Sequence, residues 1–300
     1  FPLIMRLLLT YLKYETVFSY VKSKFLIQER HYGTSEIKNE IFHKHGGKLT
    51  SAIQKNILQV NGPGMYIHSD VLFTLGTKTA EFCAHLGGKV KFIVPVGSLF
   101  MERDFFNRKE KNNFKSYDLL VFASNHEGTA HSGYNSYFSD YYLNFQWIQK
   151  FCEEFPNFKI AIKLKKFYEH KELIKIFSTT KNIEFLTDTE NNWTDSYFLG
   201  AKAKALCTWS STLGFEFIGF GKECYFLDPG ARNIGFLPNS NYIKSAKVIN
   251  FEEFKKKIID LIENNSNNEM LKNKENFCMY SDNVSENILK NLRNLENKNL

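Results

Sequence analysis

The chain has 300 residues, which is enough for one large or two medium-sized domains. Hydrophobic residues make up 43% and charged residues 24%, and these ordinary values exclude a fully disordered chain, a collagen and a coiled-coil rod. The net charge of +7 is a mild excess. It fits phosphorylated ligands or an anionic membrane surface, and it fits a plain soluble protein nearly as well.

The cysteines indicate the cellular compartment, and the first residues indicate where the sequence starts within a domain. Five cysteines occur at wide spacings and no Cys-x-x-Cys pair is present, which argues against a zinc ribbon or a disulfide framework and favours a reducing cytoplasm. The apolar segment 1–9 is too short to span a membrane, and no small-residue cleavage site follows it. Because the chain starts with Phe1, we expect a fragment that begins inside a domain.

Apolar runs separated by turn residues predict alternating strands and helices in the first part of the chain. Thr34 or Ser35 provides a cap for a helix that runs through Phe42. The predicted strands are 24–28, 49–53, 71–76 and 90–94, and a second helix is predicted to start at Thr77. The charged, aperiodic segment 107–116 is typical of an interdomain linker.

The same alternation resumes after the linker. The predicted strands are 118–123, 158–163, 182–186, 204–208 and 223–227, and the predicted helices are 139–155, 170–178, 194–202, 213–220 and 251–264. Strands that alternate with helices indicate parallel sheets with right-handed crossovers. Ligands of open α/β sheets bind beyond the carboxyl ends of the strands.

These patterns predict an α/β protein with two Rossmann-like domains that face each other across a cleft. The predicted divisions are a first domain at 1–106, truncated at its N-terminus, the linker at 107–116, a second domain at 117–265 and a C-terminal helical tail at 266–300. The cleft between the two domains is the expected binding site.

The most informative segment is 206–224, in which a buried strand ends in three hydroxyl residues and a helix starts at once. The free N–H groups and positive dipole end of such a helix form an anion site, to which Ser210, Ser211 and Thr212 would add donors. A diphosphate would fit there. Glu216 lies about one turn into the helix, where a carboxylate could accept from both hydroxyls of a ribose. An N-capped helix in any α/β protein would show the same local pattern.

This segment resembles the nucleotide-binding segment of GT-B glycosyltransferases, and most of all that of bacterial surface-polysaccharide transferases and the related CDP-glycerol glycerophosphotransferases. In those families a strand is followed by Ser-Ser/Thr, Gly, Glu and Gly-Lys-Pro. The matching positions are Ser211, Thr212, Gly214, Glu216, Gly221 and Lys222. Glu223 departs from the pattern, because proline is usual there. The resemblance implies a GT-B-like fold whose second domain binds a nucleotide sugar.

Two other segments of the second domain would contact the donor according to this resemblance. The strand at 158–163 delivers a basic cluster at its carboxyl end, where related transferases carry an Arg or Lys on the diphosphate. Lys163 or Lys165 would make this contact with the diphosphate. Alternatively, these lysines form a solvent-exposed run that binds no ligand. In the loop after the first strand of this domain, Asn125 and Gly128 would approach phosphate through amide and backbone.

The first domain is expected to hold the acceptor and the base. Segment 28–32 ends a strand, and it resembles an acidic-basic loop of surface-carbohydrate transferases in which a side chain deprotonates the acceptor hydroxyl. A base with a pKa near the working pH is needed, and Glu29 or His31 would serve. Alternatively, Glu29 and His31 belong to a surface loop or form a hydrogen-bonded polar pair without a catalytic role. Downstream, Lys55 and Asn56 replace the His-Gly of the family, which weakens any role assigned to that turn.

The resemblance implies an enzyme, a nucleotide-sugar-dependent glycosyltransferase that builds a cell-surface polysaccharide such as a capsule, or a lipid-linked glycan. The nucleotide sugar is its co-substrate, and no cofactor is expected. No metal is expected either, because positive groups and a helix end take up the leaving-group charge, and because His126 and His131 lack a metal-ligand spacing. The basic balance suits a cytoplasmic protein that contacts the anionic inner face of a membrane, whereas dispersed cations argue against nucleic acid.

Two other functions remain open at this point. A UDP-sugar 2-epimerase would share the two-domain fold and the donor site, but it would need further acid/base carboxylates in the cleft, which the sequence does not locate. A non-catalytic GT-B-like binding protein is the other alternative. The sequence contains no P-loop, no Gly-x-Ser-x-Gly elbow, no His-Glu-x-x-His and no clean Gly-x-Gly-x-x-Gly after a strand. These absences argue against the corresponding ATPases, hydrolases, metalloproteases and dehydrogenases.

Overall fold

The computed structural model describes residues 2–56, 66–80, 88–106, 115–123, 136–164, 175–187, 195–209, 211–229, 231, 241–264 and 269–298. Within these ranges the chain forms one sheet of four strands and one of six. Every strand pairing in both sheets is parallel. This architecture confirms the predicted α/β class with two Rossmann-like domains.

The first sheet has its four strands in simple sequential order. They are β1 (Phe25–Gln28), β2 (Leu49–Ile53), β3 (His68–Thr74) and β4 (Lys89–Pro95), as predicted to within a few residues. Helix α1 (Pro2–Tyr20) precedes β1, and α2 (Glu36–Lys44) connects β1 to β2. The predicted cap of α2 is confirmed, because the Ser35 side chain accepts a hydrogen bond from the Lys38 N–H. No helix within the described ranges is long and apolar enough to cross a membrane.

The segment after β3 differs from the prediction. Thr77 was expected to begin a helix, but residues 77–80 form turns, and residues 81–87 lie outside the described ranges. The Thr77 and Lys78 N–H groups donate to the carbonyls of Glu275 and Asn276. Tertiary hydrogen bonds therefore hold residues 77–80 against the C-terminal part of the chain.

A helical segment that the sequence did not predict follows β4. It starts as α3 (Leu99–Met101), with the Ser98 hydroxyl accepting from the Met101 N–H, and continues as a π-helix over Glu102–Phe106. Glu102 is buried, and its carboxylate accepts from the N–H and the hydroxyl of Ser285. This contact fixes the segment against the C-terminal part of the chain, next to the second sheet.

The second sheet is doubly wound. Its strands are β5 (Leu119–Phe122), β6 (Ile160–Leu164), β7 (Ile183–Thr187), β8 (Ala205–Thr208), β9 (Cys224–Leu227) and β10 (Lys247–Val248), in the order 10-9-8-5-6-7. Its helices are α4 (Ser136–Glu154), α5 (Asp195–Lys202), α6 (Thr212–Phe220) and α7 (Phe251–Ile262). The order reverses between β5 and β8, and ligands of such sheets bind in the crevice at that reversal.

The C-terminal segment returns to the first sheet. It contains α8 (Glu269–Lys272) and α9 (Val284–Glu296), the latter buried along one face. The side chains of Val284, Ile288 and Leu292 form one apolar cluster with residues of β2 and β3, including Leu49 and Phe73. Three short 3-10 turns complete the described structure at His31–Gly33, Asn241–Ala246 and Lys274–Asn276.

Candidate functional site

A cleft of about 240 Å³ opens at the strand reversal of the second sheet. The second sheet contributes the carboxyl ends of β5 and β6, and α6 contributes its first turn. Residues after β2 and β4 of the first sheet close the opposite side. The lining residues are Lys55, Asn56, Phe100, Arg103, Asp104, Phe122, Ala123, Lys163, Leu164, Ser196, Tyr197, Ser211, Thr212, Leu213 and Glu216. Both halves of the chain therefore form this site.

The first turn of α6 provides one wall of the cleft. Ser211 is the N-cap, and its side-chain oxygen accepts from the Leu213 N–H at 3.3 Å. Gly214 allows the helix to lie close to β9, because a Cβ there would stand 2.6 Å from the Phe226 ring. Ser211 and Thr212 line the cleft as predicted, and Ser210 lies outside the described residues. The positive end of the helix dipole favours an anion at this turn, where the Leu213 N–H is bonded to the Ser211 side chain and the Gly214 N–H to the Ser211 carbonyl.

Lys163 brings a positive charge to the same wall. It lies in β6 opposite Phe122 of β5, is buried and lines the cleft. Its Nζ donates to the Leu164 carbonyl at 3.3 Å. A buried ammonium beside a helix N-terminus is suited to a phosphorylated ligand. The other predicted donor contacts, Lys165, Asn125 and Gly128, lie outside the described residues.

The first half contributes charged groups that the sequence analysis did not assign to the donor. Lys55 Nζ and the Arg103 guanidinium carbon each lie 5.1 Å from the centroid of the Phe100 ring. Arg103 donates two hydrogen bonds of 2.6 Å to the carboxylate of Asp104, one to each oxygen. Cation–π contacts and a bidentate pair give both cations a defined position at the cleft.

Glu216 lies in the cleft, but its carboxylate is already engaged. One oxygen accepts from the hydroxyl of Ser98 in the first half, and the other accepts from the hydroxyl of Tyr197 at 3.0 Å. Burial raises the pKa of Glu216 from 4.5 to about 7, the two hydrogen bonds lower it and the Asp104 charge raises it. The expectation of a carboxylate open to ribose hydroxyls therefore differs from the structure, in which Glu216 links the two halves.

The two predicted bases differ in their surroundings. His31 is buried away from the cleft lining, and its Nδ1 accepts from the Lys55 N–H at 3.2 Å. Burial lowers the pKa of His31 to about 4, so the ring is neutral and a poor proton acceptor at neutral pH. These surroundings do not favour His31 as a catalytic base, and its bond to the Lys55 N–H positions that backbone. Glu29 follows β1 directly and is exposed. The pKa of Arg103 is raised mainly by its hydrogen bonds to Asp104, and the charge of Glu29 adds a small contribution.

Lys222 matches the family pattern, but its hydrogen bonds are to the protein backbone. Its ammonium donates to the carbonyl of Ala201 at 2.8 Å and to that of Ala203, at the C-terminal end of α5. Burial lowers the pKa of Lys222 to about 8. Part of the segment that resembles a nucleotide-binding motif therefore holds α5 and α6 together.

The missed cleft residues come from the segment 98–106 and from α5. The acidic and basic residues in 102–104 could have drawn attention to the first segment, but its π-helical geometry gives no apolar periodicity to detect. Nothing in the sequence distinguished Ser196 or Tyr197 from other residues of an amphipathic helix. Within the described ranges, no group of three or more His, Cys, Asp or Glu side chains could hold a metal ion.

Comparison with known proteins shows a likeness of fold. No family model and no curated protein matches the sequence. Among solved structures, Methanocaldococcus jannaschii UDP-GlcNAc 2-epimerase in complex with UDP-GlcNAc and UDP has a TM-score of 0.61 at 15% identity, covering 94% of this chain and 79% of that one. The S. aureus MnaA–UDP co-structure has a TM-score of 0.60 at 13% identity, covering 96% and 78%.

A transferase is also similar. The pneumococcal O-GlcNAc transferase GtfA, in complex with UDP and GlcNAc, has a TM-score of 0.51 at 13% identity, covering 94% of this chain and 59% of that one. The chain has a GT-B-type fold. The findings support this part of the resemblance and not, specifically, the relation to CDP-glycerol glycerophosphotransferases.

Proposed function

We propose that the protein is a glycosyltransferase that binds a nucleoside diphosphate sugar in the cleft and transfers the sugar to a surface polysaccharide or a lipid-linked glycan. The observation that carries the proposal is that buried Lys163 and the capped N-terminus of α6 line the same cleft at the strand reversal. Together they would offer an ammonium, the positive end of a helix dipole and two hydroxyls to one anionic group.

The first half would complete the diphosphate site. Lys55 and Arg103 lie across the cleft from the helix end, so a diphosphate between the two walls would meet cations on both sides. Preorganised positive groups of this kind stabilise the charge that develops on a departing diphosphate. The proposal therefore includes no resident metal and no cofactor besides the nucleotide sugar.

In the proposed reaction, the acceptor hydroxyl oxygen attacks the anomeric carbon of the sugar. The bond from that carbon to the diphosphate oxygen breaks, and the nucleoside diphosphate leaves with the electron pair. A base takes the hydroxyl proton, and we assign that role to Glu29. It follows β1 directly, at the sheet edge where the chain also leaves β2 towards Lys55. Glu216 would accept from ribose hydroxyls once a ligand displaces the Ser98 hydroxyl.

The test begins with binding. Thermal unfolding is measured with UDP, CDP, GDP and CMP and with their sugar conjugates, because a ligand selective for the folded state raises the unfolding temperature. Titration calorimetry of the best ligand then compares the wild type with Lys163→Met. We expect an affinity loss of about tenfold or more, the usual scale for a charged hydrogen bond. Lys159→Met is the control, because Lys159 lies just before the opposite end of β6.

Two results would refute the donor assignment. One is a cooperative unfolding transition that no nucleotide shifts, which would favour a non-catalytic protein. The other is equal ligand affinity in the wild type and in a folded Lys163→Met variant. The assignment of Glu29 is tested separately with the donor found above. We expect Glu29→Gln to retain donor affinity and to lose transfer to the acceptor.

A UDP-sugar 2-epimerase is the second candidate, and one observation favours it. The structure places two buried carboxylates, Asp104 and Glu216, and the Tyr197 hydroxyl in the same cleft, where acid/base groups of an epimerase would be needed. Incubation with UDP-GlcNAc alone separates the candidates. An epimerase would produce a second UDP-sugar, visible by NMR at C2, whereas a transferase would leave the sugar configuration unchanged without an acceptor.

A further inference from the structure

The carboxylate of Glu216 is hydrogen-bonded from both halves of the chain. The Tyr197 hydroxyl donates to one of its oxygens at 3.0 Å, and the Ser98 hydroxyl donates to the other. Tyr197 and Glu216 both line the cleft, although they are only 5% and 4% exposed. Tyr197 belongs to the same half of the chain as Glu216, whereas Ser98 belongs to the other half. The two hydrogen bonds therefore differ in what they hold together.

Packing fixes Tyr197 beside Glu216. The two residues lie on α5 and α6. These helices are in close contact, because Gly200 leaves no room for a Cβ against the Phe217 ring. The ring centroids of Tyr197 and Phe217 are 6.2 Å apart. A movement of one half relative to the other can therefore break the bond from Ser98 and leave the bond from Tyr197 in place.

This difference decides which of the two hydrogen bonds a ligand can replace. A ligand hydroxyl can take the place of the Ser98 hydroxyl while the phenol of Tyr197 continues to hold the second oxygen of Glu216. The phenol thereby keeps the carboxyl group in one orientation. Without it, a buried oxygen loses its donor and the side chain gains rotational freedom, which must be lost again when a ligand binds.

We propose that Tyr197 is a positioning residue that holds Glu216 towards the ribose of the donor and so makes the cleft selective for ribonucleotides over 2′-deoxyribonucleotides. This inference rests on the proposed binding of a nucleoside diphosphate sugar. A 2′-deoxy ligand offers the carboxylate one ribose hydroxyl instead of two. A site built to hydrogen-bond a hydroxyl rejects the analogue that lacks it, because a buried polar group is then left unpaired.

The test compares Tyr197→Phe, which keeps the ring and removes the hydroxyl, with a matched control. Tyr225→Phe is the control, because Tyr225 is 7% exposed and donates to the Glu223 carboxylate at 2.9 Å, outside the cleft lining. Titration calorimetry measures affinity for UDP, CDP and GDP and for the 2′-deoxy counterpart of each. We expect the wild type and Tyr225→Phe to prefer the ribonucleotide about tenfold or more, and Tyr197→Phe to lose about fivefold or more of this preference.

The pH dependence of the preference is a reading that a purely structural role of Tyr197 would not change. Burial raises the pKa of Glu216 to about 7, and the hydrogen bonds from Ser98 and Tyr197 lower it. The titratable groups of the elements around this carboxyl group are Arg103 and Asp104 of the π-helix, Tyr197 of α5, Lys163 of β6 and Cys278 of the C-terminal segment. Ribose hydroxyls donate best to the ionised carboxylate, so the preference of the wild type should grow as pH rises through 7. Tyr197→Phe loses a hydrogen bond that lowers the pKa, so its remaining preference should appear at higher pH. The ratio of the two affinities cancels the titration of the ligand phosphates.

Three results would overturn the inference. One is a folded Tyr197→Phe variant that retains the ribose preference or the pH profile of the wild type. Another is a wild type that binds ribonucleotides and their 2′-deoxy counterparts equally while Lys163→Met weakens both, which leaves the proposed function intact. The third is loss of the preference in Ser98→Ala, in which Tyr197 still holds Glu216. Ser98→Ala also provides the test if urea unfolding shows that Tyr197→Phe does not fold. A chain that binds no nucleotide refutes the proposed function, and the inference fails with it.

Discussion

Replacement of Glu216 by glutamine should change how the stability of the protein depends on pH. Glu216 is 4% exposed, and burial raises its pKa from 4.5 to about 7. Glutamine has nearly the same shape, keeps a carbonyl oxygen for one of the two hydroxyl donors and carries no charge at any pH. The comparison of Glu216→Gln with the wild type therefore isolates the ionisation of this carboxyl group.

The sign and size of this pH dependence follow from the pKa of Glu216 in the unfolded chain and its pKa in the folded protein. Between pH 4.5 and about 7 the unfolded chain has released the Glu216 proton while the folded protein still holds it, so the stability of the wild type falls as pH rises. One pKa unit corresponds to about 1.4 kcal/mol, so the loss over this window is roughly 3 kcal/mol. Above pH 7 both states are ionised, and this contribution stays constant.

His31 acts in the opposite direction over an overlapping window. Burial lowers its pKa from 6.5 to about 4, so the unfolded chain binds a proton that the folded protein does not, and stability rises as pH increases from 4 to 6.5. The contributions of Glu216 and His31 nearly cancel in the wild type below pH 6.5. The variant Glu216→Gln should therefore reveal a rise in stability that the wild type conceals.

The assay is urea unfolding of both proteins at half-unit steps from pH 5 to 8, followed by intrinsic fluorescence. The free energy of unfolding of Glu216→Gln minus that of the wild type should increase by roughly 2–3 kcal/mol across the series, which starts half a unit above the unfolded pKa. Equal differences at pH 5 and pH 8 would refute the reasoning, because they would mean that Glu216 titrates alike in the folded and unfolded states. A difference that shrinks with pH would refute it as well.

Three further predictions concern the packing that holds the site. Gly97→Ala should lower the free energy of unfolding by more than about 1 kcal/mol, measured by urea unfolding. Gly97 has φ +99°, and a Cβ there would stand 2.6 Å from a backbone carbonyl oxygen. The control Gly33→Ala should change stability little, because there is free space around Gly33. Leu292→Ala should cost about 2–5 kcal/mol, because α9 anchors the first sheet through this fully buried side chain, whereas Leu289→Ala on the exposed face should be near neutral. Lys222→Met should cost about 1–3 kcal/mol by leaving carbonyls of α5 unpaired, measured as a lowered unfolding temperature.

The strands of the second sheet could be predicted from the sequence because their signal is local. Central strands of a parallel sheet are covered on both faces and read as continuous apolar runs, as in β5, β6, β8 and β9, all fully buried. The Ser211 cap was equally visible, since capping depends on residues within one turn. The helix was predicted to start at Thr77, but residues 77–80 form turns whose Thr77 and Lys78 N–H groups bond carbonyls nearly 200 positions away, a contact that no local pattern indicates.

The composition of the cleft could not be predicted in the same way. Arg103 and Asp104 reach it from a π-helix after β4, next to Phe100 of α3, and no sequence periodicity indicates that geometry. His31 was predicted to face the cleft because it follows β1. The backbone turn instead buries its ring and directs Nδ1 to the Lys55 N–H. Residue type and strand end alone do not determine which way a side chain points.

Glu216 shows how one residue satisfies a local pattern and a long-range contact at the same time. Its spacing from Thr212 places it at the mouth of the helix, as the pattern predicted. Its hydrogen bond with Ser98 joins residues 118 positions apart and ties the two halves across the cleft. In the proposed function a ligand hydroxyl that replaces the Ser98 hydroxyl on Glu216 would couple donor binding to the relative position of the two halves. The sequence indicates a carboxyl group at the helix mouth, and only the structure shows that the hydroxyls of Ser98 and Tyr197 already bond it.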